Sequence, residues 1–230
     1  MKMKIVFLAM AAIIISAAAI AQKSTVMLKA GVNMANVSIN DDGNIDDAKS
    51  LTSFQAGVVG DVYLTPFLSF QPGLLFTGKG TKTQTGNESD ASFYRATTNP
   101  YYIEVPANLV FKVPTGGAKF FVGAGPYLGI GIAGKNKVDG KIFGTSFHSE
   151  ESIEWSNDDP STLDFEEGAG FGIMKRFDYG VNGLAGLEFS KAVLSVNYGL
   201  GLAKLQSGSS SSSDNNNKHR VWSFTLGVKL

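Results

Sequence analysis

The chain has 230 residues, and its 20 basic and 20 acidic side chains cancel to a formal net charge of zero. This balance gives no argument for a nucleic-acid partner, and the absence of cysteine excludes a disulfide framework. Glycine and phenylalanine are frequent, with 27 and 16 residues respectively, which suits closely packed strands with aromatic ends.

Residues 1–21 are predicted to be a cleaved signal peptide. Lysines near the start precede an apolar run over residues 5–15, and Ala19-Ile20-Ala21 forms a small-residue cleavage site. The apolar run is shorter than the ~20 residues that a membrane-spanning helix needs, so a retained anchor is the weaker alternative. We therefore expect an exported protein with a single domain over residues 22–230.

The rest of the chain contains eight stretches in which apolar residues alternate with small or polar ones. In the last, Trp222, Phe224 and Leu226 share one face while Ser223 and Thr225 share the other. Each stretch is near or above the ~9–11 residues that a tilted strand needs to cross a bilayer. The stretches lie at about 26–37, 54–64, 67–79, 101–113, 119–132, 177–189, 193–203 and 222–230.

The connections between these stretches alternate between long and short. The short ones are turn-forming: Thr65-Pro66, residues 114–117 and Ser190-Lys191. Short periplasmic turns and long external loops are typical of outer-membrane barrels. The predicted fold is all-β: a single eight-stranded antiparallel up-and-down transmembrane β-barrel. Its long external loops are predicted at about 38–53, 80–100, 133–176 and 204–220.

Aromatic residues cluster at both ends of the predicted strands. Two rings of this kind match the interfacial girdles of outer-membrane barrels. The ring next to the long loops contains Phe54, Tyr101, Phe177, Tyr179 and Trp222. The ring next to the short turns contains Phe67, Phe111, Phe120 and Phe189.

The face opposite the apolar one is polar and charged. An eight-stranded barrel is only wide enough for its own side chains to fill, and buried charges must be paired or hydrated. We therefore predict a polar lumen closed by ion pairs, without a general diffusion pore. Its predicted residues are Lys29, Asp61, Glu104, Lys112, Asp178, Glu188 and Lys229, with Asn33, Gln55, Gln71, Asn108, Asn182 and Asn197.

Three prolines, Pro72, Pro106 and Pro126, fall inside predicted strands, where each removes a ladder hydrogen bond. A closed barrel has no edge strand to receive them. Bulges or positions at the rim are therefore expected.

Several of these strands carry motifs that resemble the PorT-like outer-membrane β-barrel family. The matching pieces are Phe70-Gln71-Pro72, residues 102–106, 123–127 and 176–180, Tyr198-Gly199-Leu200 and the closing strand. The resemblance implies a small barrel in a Gram-negative outer membrane, inserted by the barrel-assembly machinery. The namesake of the family is linked to secretion of surface proteins, but no motif here assigns that role.

No catalytic, cofactor-binding or metal-binding residue is predicted. The G-x-x-x-x-G-K pieces that begin at Gly73 and Gly129 lack the following Ser or Thr of a phosphate loop and open no helix. His148 has serines and Glu150 beside it, but neighbours in a loop are not a preorganised site. The acidic stretch 150–167 offers oxygen ligands for Ca²⁺ without EF-hand spacing. Solvated charge is favoured there over cation bridging to lipopolysaccharide.

The favoured function is a non-enzymatic, lipid-embedded scaffold that presents its loops to an unknown extracellular or periplasmic protein, in contact with lipid and lipopolysaccharide. A narrow channel or a secretion or transport accessory is the alternative. A soluble lipocalin-like ligand binder is disfavoured by the paired aromatic rings. A lipid-modifying or proteolytic enzyme is disfavoured because no catalytic constellation is evident.

Overall fold

The computed structural model describes residues 24–38, 48–155, 173–203, 205 and 218–230. The predicted signal peptide, most of the acidic stretch and the serine-rich segment 209–213 lie outside the described residues. In the described part of the chain, no helix is long and apolar enough to span a bilayer.

The described residues form β-strands of very different lengths. Among the described residues, five short strands have two to eight residues, and the other eight strands have 10 to 25. The strands are β1 (Thr25–Ser38), β2 (Ala48–Lys49), β3 (Leu51–Tyr63), β4 (Leu68–Gly78), β5 (Thr81–Thr85), β6 (Phe93–Thr115), β7 (Ala118–Ile142), β8 (Thr145–Ser152), β9 (Glu154–Trp155), β10 (Ile173–Met174), β11 (Phe177–Glu188), β12 (Ala192–Gly201) and β13 (Lys218–Lys229).

Eight of these strands close a ring in the order β1, β3, β4, β6, β7, β11, β12 and β13. Every neighbouring pair is antiparallel, and β13 pairs back to β1 from Met27↔Lys229 to Ser38↔Lys218. The predicted eight-stranded antiparallel barrel is therefore confirmed. The strands that were predicted from alternation are the ones that form the ring.

The outer face of the ring is apolar, as the alternation predicts. Leu74 and Leu128 are among its most exposed side chains. The aromatic rings lie at the two ends: Tyr101 stacks on Phe76 with 5.3 Å between ring centroids at the outer end. The Phe67 and Phe111 centroids are 6.4 Å apart at the end with the short turns. Further exposed apolar residues of this face are Leu28, Val32, Phe54, Val58, Leu109, Ile130, Val196, Phe224 and Leu226.

Strand structure extends well beyond the apolar belt, which corrects the predicted loops at 80–100 and 133–176. β6 and β7 pair from Phe93↔Lys141 onwards, and β5, β2 and β8 add to their sides. A register shift at Tyr101/Tyr102 marks the departure from the barrel. We call the sheet beyond this shift the external sheet. Its strands lack a continuous apolar face because both faces lie outside the lipid, so apolar alternation could not reveal them.

The three prolines lie within the ring and not at its rim, and no bulge accommodates them. Pro72 is opposite Ala107 and Pro106 is opposite Tyr127. Between β3 and β4 the paired register stops at Val59↔Gly73 and resumes at Val62↔Phe70 with the same offset. The β4–β6 and β6–β7 registers have similar gaps. The barrel therefore tolerates each proline by a local interruption of the ladder.

Candidate functional site

Buried charges fill the lumen at the end with the short turns. Lys112 Nζ lies 2.5 Å from Asp61 Oδ2 and 2.7 Å from Glu188 Oε2, and Lys112 is 1% exposed. Glu188 also pairs with Lys229, and Gln71 Nε2 donates to Asp61 Oδ1 at 3.1 Å. Each charge thus has an opposite charge or an amide beside it, as burial requires. We call this group, with Tyr63 and Lys119, the inner ion cluster.

An apolar layer crosses the lumen next to the inner ion cluster. Seven strands of the ring each contribute one buried side chain to it, and Phe121 is the largest. Gly186 makes room for that ring, because a Cβ at Gly186 would lie 2.5 Å from Phe121 Cζ. The layer was not predicted, because its members stand singly among polar inward residues. It contains Met27, Val59, Leu75, Val110, Phe121, Leu184 and Val193.

A small polar cavity of about 50 Å³ lies in the middle of the lumen. Lys29 Nζ donates to Asn197 Oδ1 across 3.2 Å there. This volume holds a few water molecules at most, since one water needs ~10–15 Å³ of such space. The cavity is too small for an organic ligand. Its lining includes Lys29, Gln55, Glu104, Asn108, Asn182 and Asn197.

A second group of buried charges, the outer ion cluster, lies between this cavity and the external side. Lys79 Nζ is 2.6 Å from Glu104 Oε2 and 2.8 Å from Asp178 Oδ2. The same ammonium lies 4.1 Å from the centroid of the Tyr127 ring, whose hydroxyl donates to Asp178 Oδ2 at 3.3 Å. Three strands and the end of a fourth are thereby tied together across the lumen.

Aromatic and apolar side chains cover the outer ion cluster. The Trp155 ring meets the Tyr102 ring edge-on with centroids 5.6 Å apart, and His219 Nε2 is 3.3 Å from Tyr102 Oη. Gly131 admits this arrangement, because a Cβ there would lie 2.2 Å from the Trp155 ring. The short β9–β10 pair holds this cover in place. The remaining apolar residues of the cover are Val37, Ile153, Met174 and Leu205.

The predicted lumen face is confirmed, because all thirteen polar residues named from the sequence are buried or half-buried inside the ring. Lys79, Tyr102 and Trp155 were missed. Alternation could have found two of them: Lys79 follows Thr77 on the polar face, and Tyr102 precedes Glu104. Trp155 reaches the lumen from the external chain, and no pattern within a strand indicates that.

The residues that stand together around His148 in the sequence lie along strand β8, and the His148 ring bonds across to β7. His148 Nδ1 lies 2.6 Å from Asp139 Oδ1 on the exposed side of the β7–β8 pair. Within the described ranges, no serine hydroxyl bonds to this ring. The same ranges contain no group of three or more acidic or histidine side chains placed to hold a metal ion.

Glu150 is the best-paired acid of the external sheet. It bonds to Lys135, and its Oε2 lies 2.7 Å from Lys137 Nζ. The hydrogen bonds from Lys135 and Lys137 lower the pKa of Glu150 from 4.5 to about 2. The Glu150 carboxylate is thus paired with two lysines, although it belongs to the acidic stretch 150–167 that offered oxygen ligands for Ca²⁺.

The Glu150 contact predicts a pH dependence of the β7–β8 pairing. Because the folded pKa is depressed, the contribution of this contact is complete above about pH 4.5 and is lost as the pH falls through about 2. An NMR titration of the Glu150 carboxyl should show a midpoint near 2. Replacing Lys135 and Lys137 by methionine should return the midpoint towards 4.5. A wild-type midpoint near 4.5 would contradict the observed geometry.

A closed ring of eight antiparallel strands, with an apolar outer face and a filled polar lumen, defines a transmembrane β-barrel. Residues 20–207 match the family model described as outer membrane protein beta-barrel domain. The chain belongs to this family, and it is an outer-membrane β-barrel protein. No curated protein matches it.

Solved structures of other outer-membrane barrels are similar to this chain. The attachment invasion locus protein Ail of Yersinia pestis is 16% identical with a TM-score of 0.42, over 91% of this chain and 100% of Ail. Neisserial surface protein A is 14% identical with a TM-score of 0.43, over 91% of this chain and 99% of its own. OprG of Pseudomonas aeruginosa is 12% identical with a TM-score of 0.37, over 90% of this chain and 96% of OprG.

Proposed function

We propose that this protein is a non-enzymatic, non-conducting scaffold of the outer membrane, which holds an external sheet and loops at the cell surface for contact with partners. The observation that carries the proposal is the continuous filling of the lumen. A channel needs a water path from end to end, whereas here the polar cavity in the middle of the lumen is about 50 Å³.

The layers of the lumen can be followed along one strand. From the short turn outwards, β6 contributes Lys112 to the inner ion cluster, Val110 to the apolar layer and Asn108 to the cavity. Glu104 then joins the outer ion cluster, and Tyr102 contacts the cover. An ion that crossed this path would have to leave water at the apolar layer and break both ion clusters, and each step is costly in a low-dielectric interior.

The external sheet supports the scaffold role. It continues the ring beyond the lipid in hydrogen-bonded strands, so surfaces on it are held rigidly with respect to the membrane. In this proposal the partner is an extracellular or periplasmic component, and lipopolysaccharide surrounds the base of the sheet. We also propose that residues 1–21 are cleaved, which the charged and apolar leader supports. The strand motifs support a PorT-like relationship and, with it, insertion by the barrel-assembly machinery.

Planar-bilayer recording tests the absence of conduction. The refolded full chain, checked by its shift between boiled and unboiled gel lanes, should give no stable conductance steps at moderate voltage and salt. A pore-forming peptide added at the end of each recording verifies the bilayer. Reproducible steps of one size from the folded chain would overturn the scaffold proposal and favour the narrow-channel alternative.

A further inference from the structure

The tip of the β7–β8 hairpin is an unusual turn. Its two central residues, Phe143 and Gly144, have φ of 48° and 85°, the left-handed pattern of a type I′ turn. Among the described residues Phe143 is the only one other than glycine with positive φ. Asn, Asp and Gly are the residues that this position favours, and an aromatic side chain there is strained.

The strained side chain contributes no packing to the fold. Phe143 is 91% exposed, and its neighbour Ile142 is 56% exposed. A strained residue whose side chain is almost wholly exposed is not stabilised by packing in its own chain, which indicates a role outside it. A strained backbone conformation of this kind persists only where neighbouring residues fix it, and hydrogen bonds fix this turn.

The surroundings of the tip hold it rigidly. The Gly144 N–H donates to the Ala91 carbonyl at 3.1 Å, and Lys141 Nζ donates to the Glu88 carbonyl at 2.8 Å. Both bonds tie the hairpin to the connection between β5 and β6. The backbone that carries Phe143 is therefore held in place, without the loss of backbone entropy that a flexible loop would suffer on binding.

The position of the tip excludes the protein's own membrane as its contact. Ile132 is the last apolar lipid-facing residue before β7 leaves the ring, and Ile142 lies ten residues further along the strand. At ~3.3 Å per residue the tip is about 30 Å along the strand from the apolar belt. It is thus among the first parts of the molecule to meet an opposing surface.

We propose that Phe143 and Ile142 insert into the lipid interface of an apposed bilayer. This bilayer would be a partner of the proposed scaffold, so the inference rests on the proposed function. The tip is a convex apolar point, and a fluid bilayer accepts such a point without a complementary pocket. The described parts of the external sheet and its turns carry six basic residues (Lys49, Lys82, Arg95, Lys135, Lys137, Lys141) and five acidic ones (Glu88, Asp90, Asp139, Glu150, Glu151). These charges nearly balance and neither sign forms a run at the tip, so the proposed partner is a zwitterionic bilayer bound by apolar insertion and not by charge.

The test uses the full chain held singly in lipid nanodiscs and mixed with phosphatidylcholine vesicles. Flotation should recover the wild-type protein with the vesicles equally at low and high salt. Phe143→Asn should reduce the recovered partition coefficient at least about 10-fold, since a buried Phe contributes one or more factors of ten. Phe143→Leu should keep most of the association.

Phe143→Asn is also its own folding control. Asn-Gly is a preferred dipeptide for this turn, so the variant should keep or raise the unfolding midpoint while losing vesicle association. Equal association of wild type and Phe143→Asn would overturn the inference. Absence of wild-type association with the vesicles would also overturn the inference, and so would association that is lost at high salt. The tip would then be assigned to binding a protein. None of these results alters the outcome of the conductance test.

Discussion

Replacing Lys112 by methionine should destabilise the barrel by about 3–5 kcal/mol, the range for removing one partner of a buried ion pair. The substitution keeps much of the side-chain volume but leaves Asp61 and Glu188, which are both buried, without their shared ammonium. Reversible unfolding in urea, followed in lipid vesicles by tryptophan fluorescence, would measure the loss.

The matched control for this variant is Lys112→Met combined with Asp61→Asn. The double variant removes both charges of the pair, while Glu188 keeps Lys229 and Lys119 as partners. It should recover most of the lost free energy of unfolding, because the cost arises from an uncompensated buried charge. If the double variant is as unstable as the single one, packing and not charge governs this end of the lumen.

Replacing Leu74 by arginine should destabilise the barrel by about 2–4 kcal/mol, the cost of a basic residue at the bilayer midplane of a barrel. Leu74 is 54% exposed on the outer face and follows the interrupted ladder at Pro72. The same urea titration in vesicles measures the effect. Val58, Ile130 and Val196 lie on the same face and should respond in the same direction.

The control for Leu74→Arg is Val113→Arg, near the short turn at the end of β6. An arginine near the interface can extend to the headgroups, so the expected loss is about 0–1 kcal/mol. Equal losses at the two positions would contradict the assignment of Leu74 to the membrane interior. No loss at Leu74 would contradict the assignment of the whole outer face.

The ring could be predicted from the sequence because lipid and lumen impose opposite demands on alternate residues. Leu74 and Gln71 show that contrast along a single strand. The pairing inside the lumen could not be predicted, because Asp61 and Lys112 are 51 residues apart and meet only through the register of several strands. Alternation places Lys79 on the polar face at the end of a predicted strand, but its pairing in the outer ion cluster depends on the same register.

The external sheet could not be predicted for a different reason. Thr81 to Thr85 and residues 93–99 form strands without an apolar stripe, because water and not lipid surrounds them. Their stability comes from pairing with β6 and β7, which continue out of the barrel. Phe143 is the opposite case, since an aromatic residue before glycine gave no indication of a left-handed turn.

The pairing of β1 with β13 constrains the order in which the barrel can assemble. Met27 and Lys229 are partners although nearly the whole chain separates them, so the last strand of the ring must arrive before the first one is satisfied on both sides. Until then two unpaired strand edges persist, and hydrocarbon offers them no hydrogen bonds. Membrane entry and closure of the ring should therefore be coupled, because a ring that stayed open in hydrocarbon would leave both edges without hydrogen-bond partners.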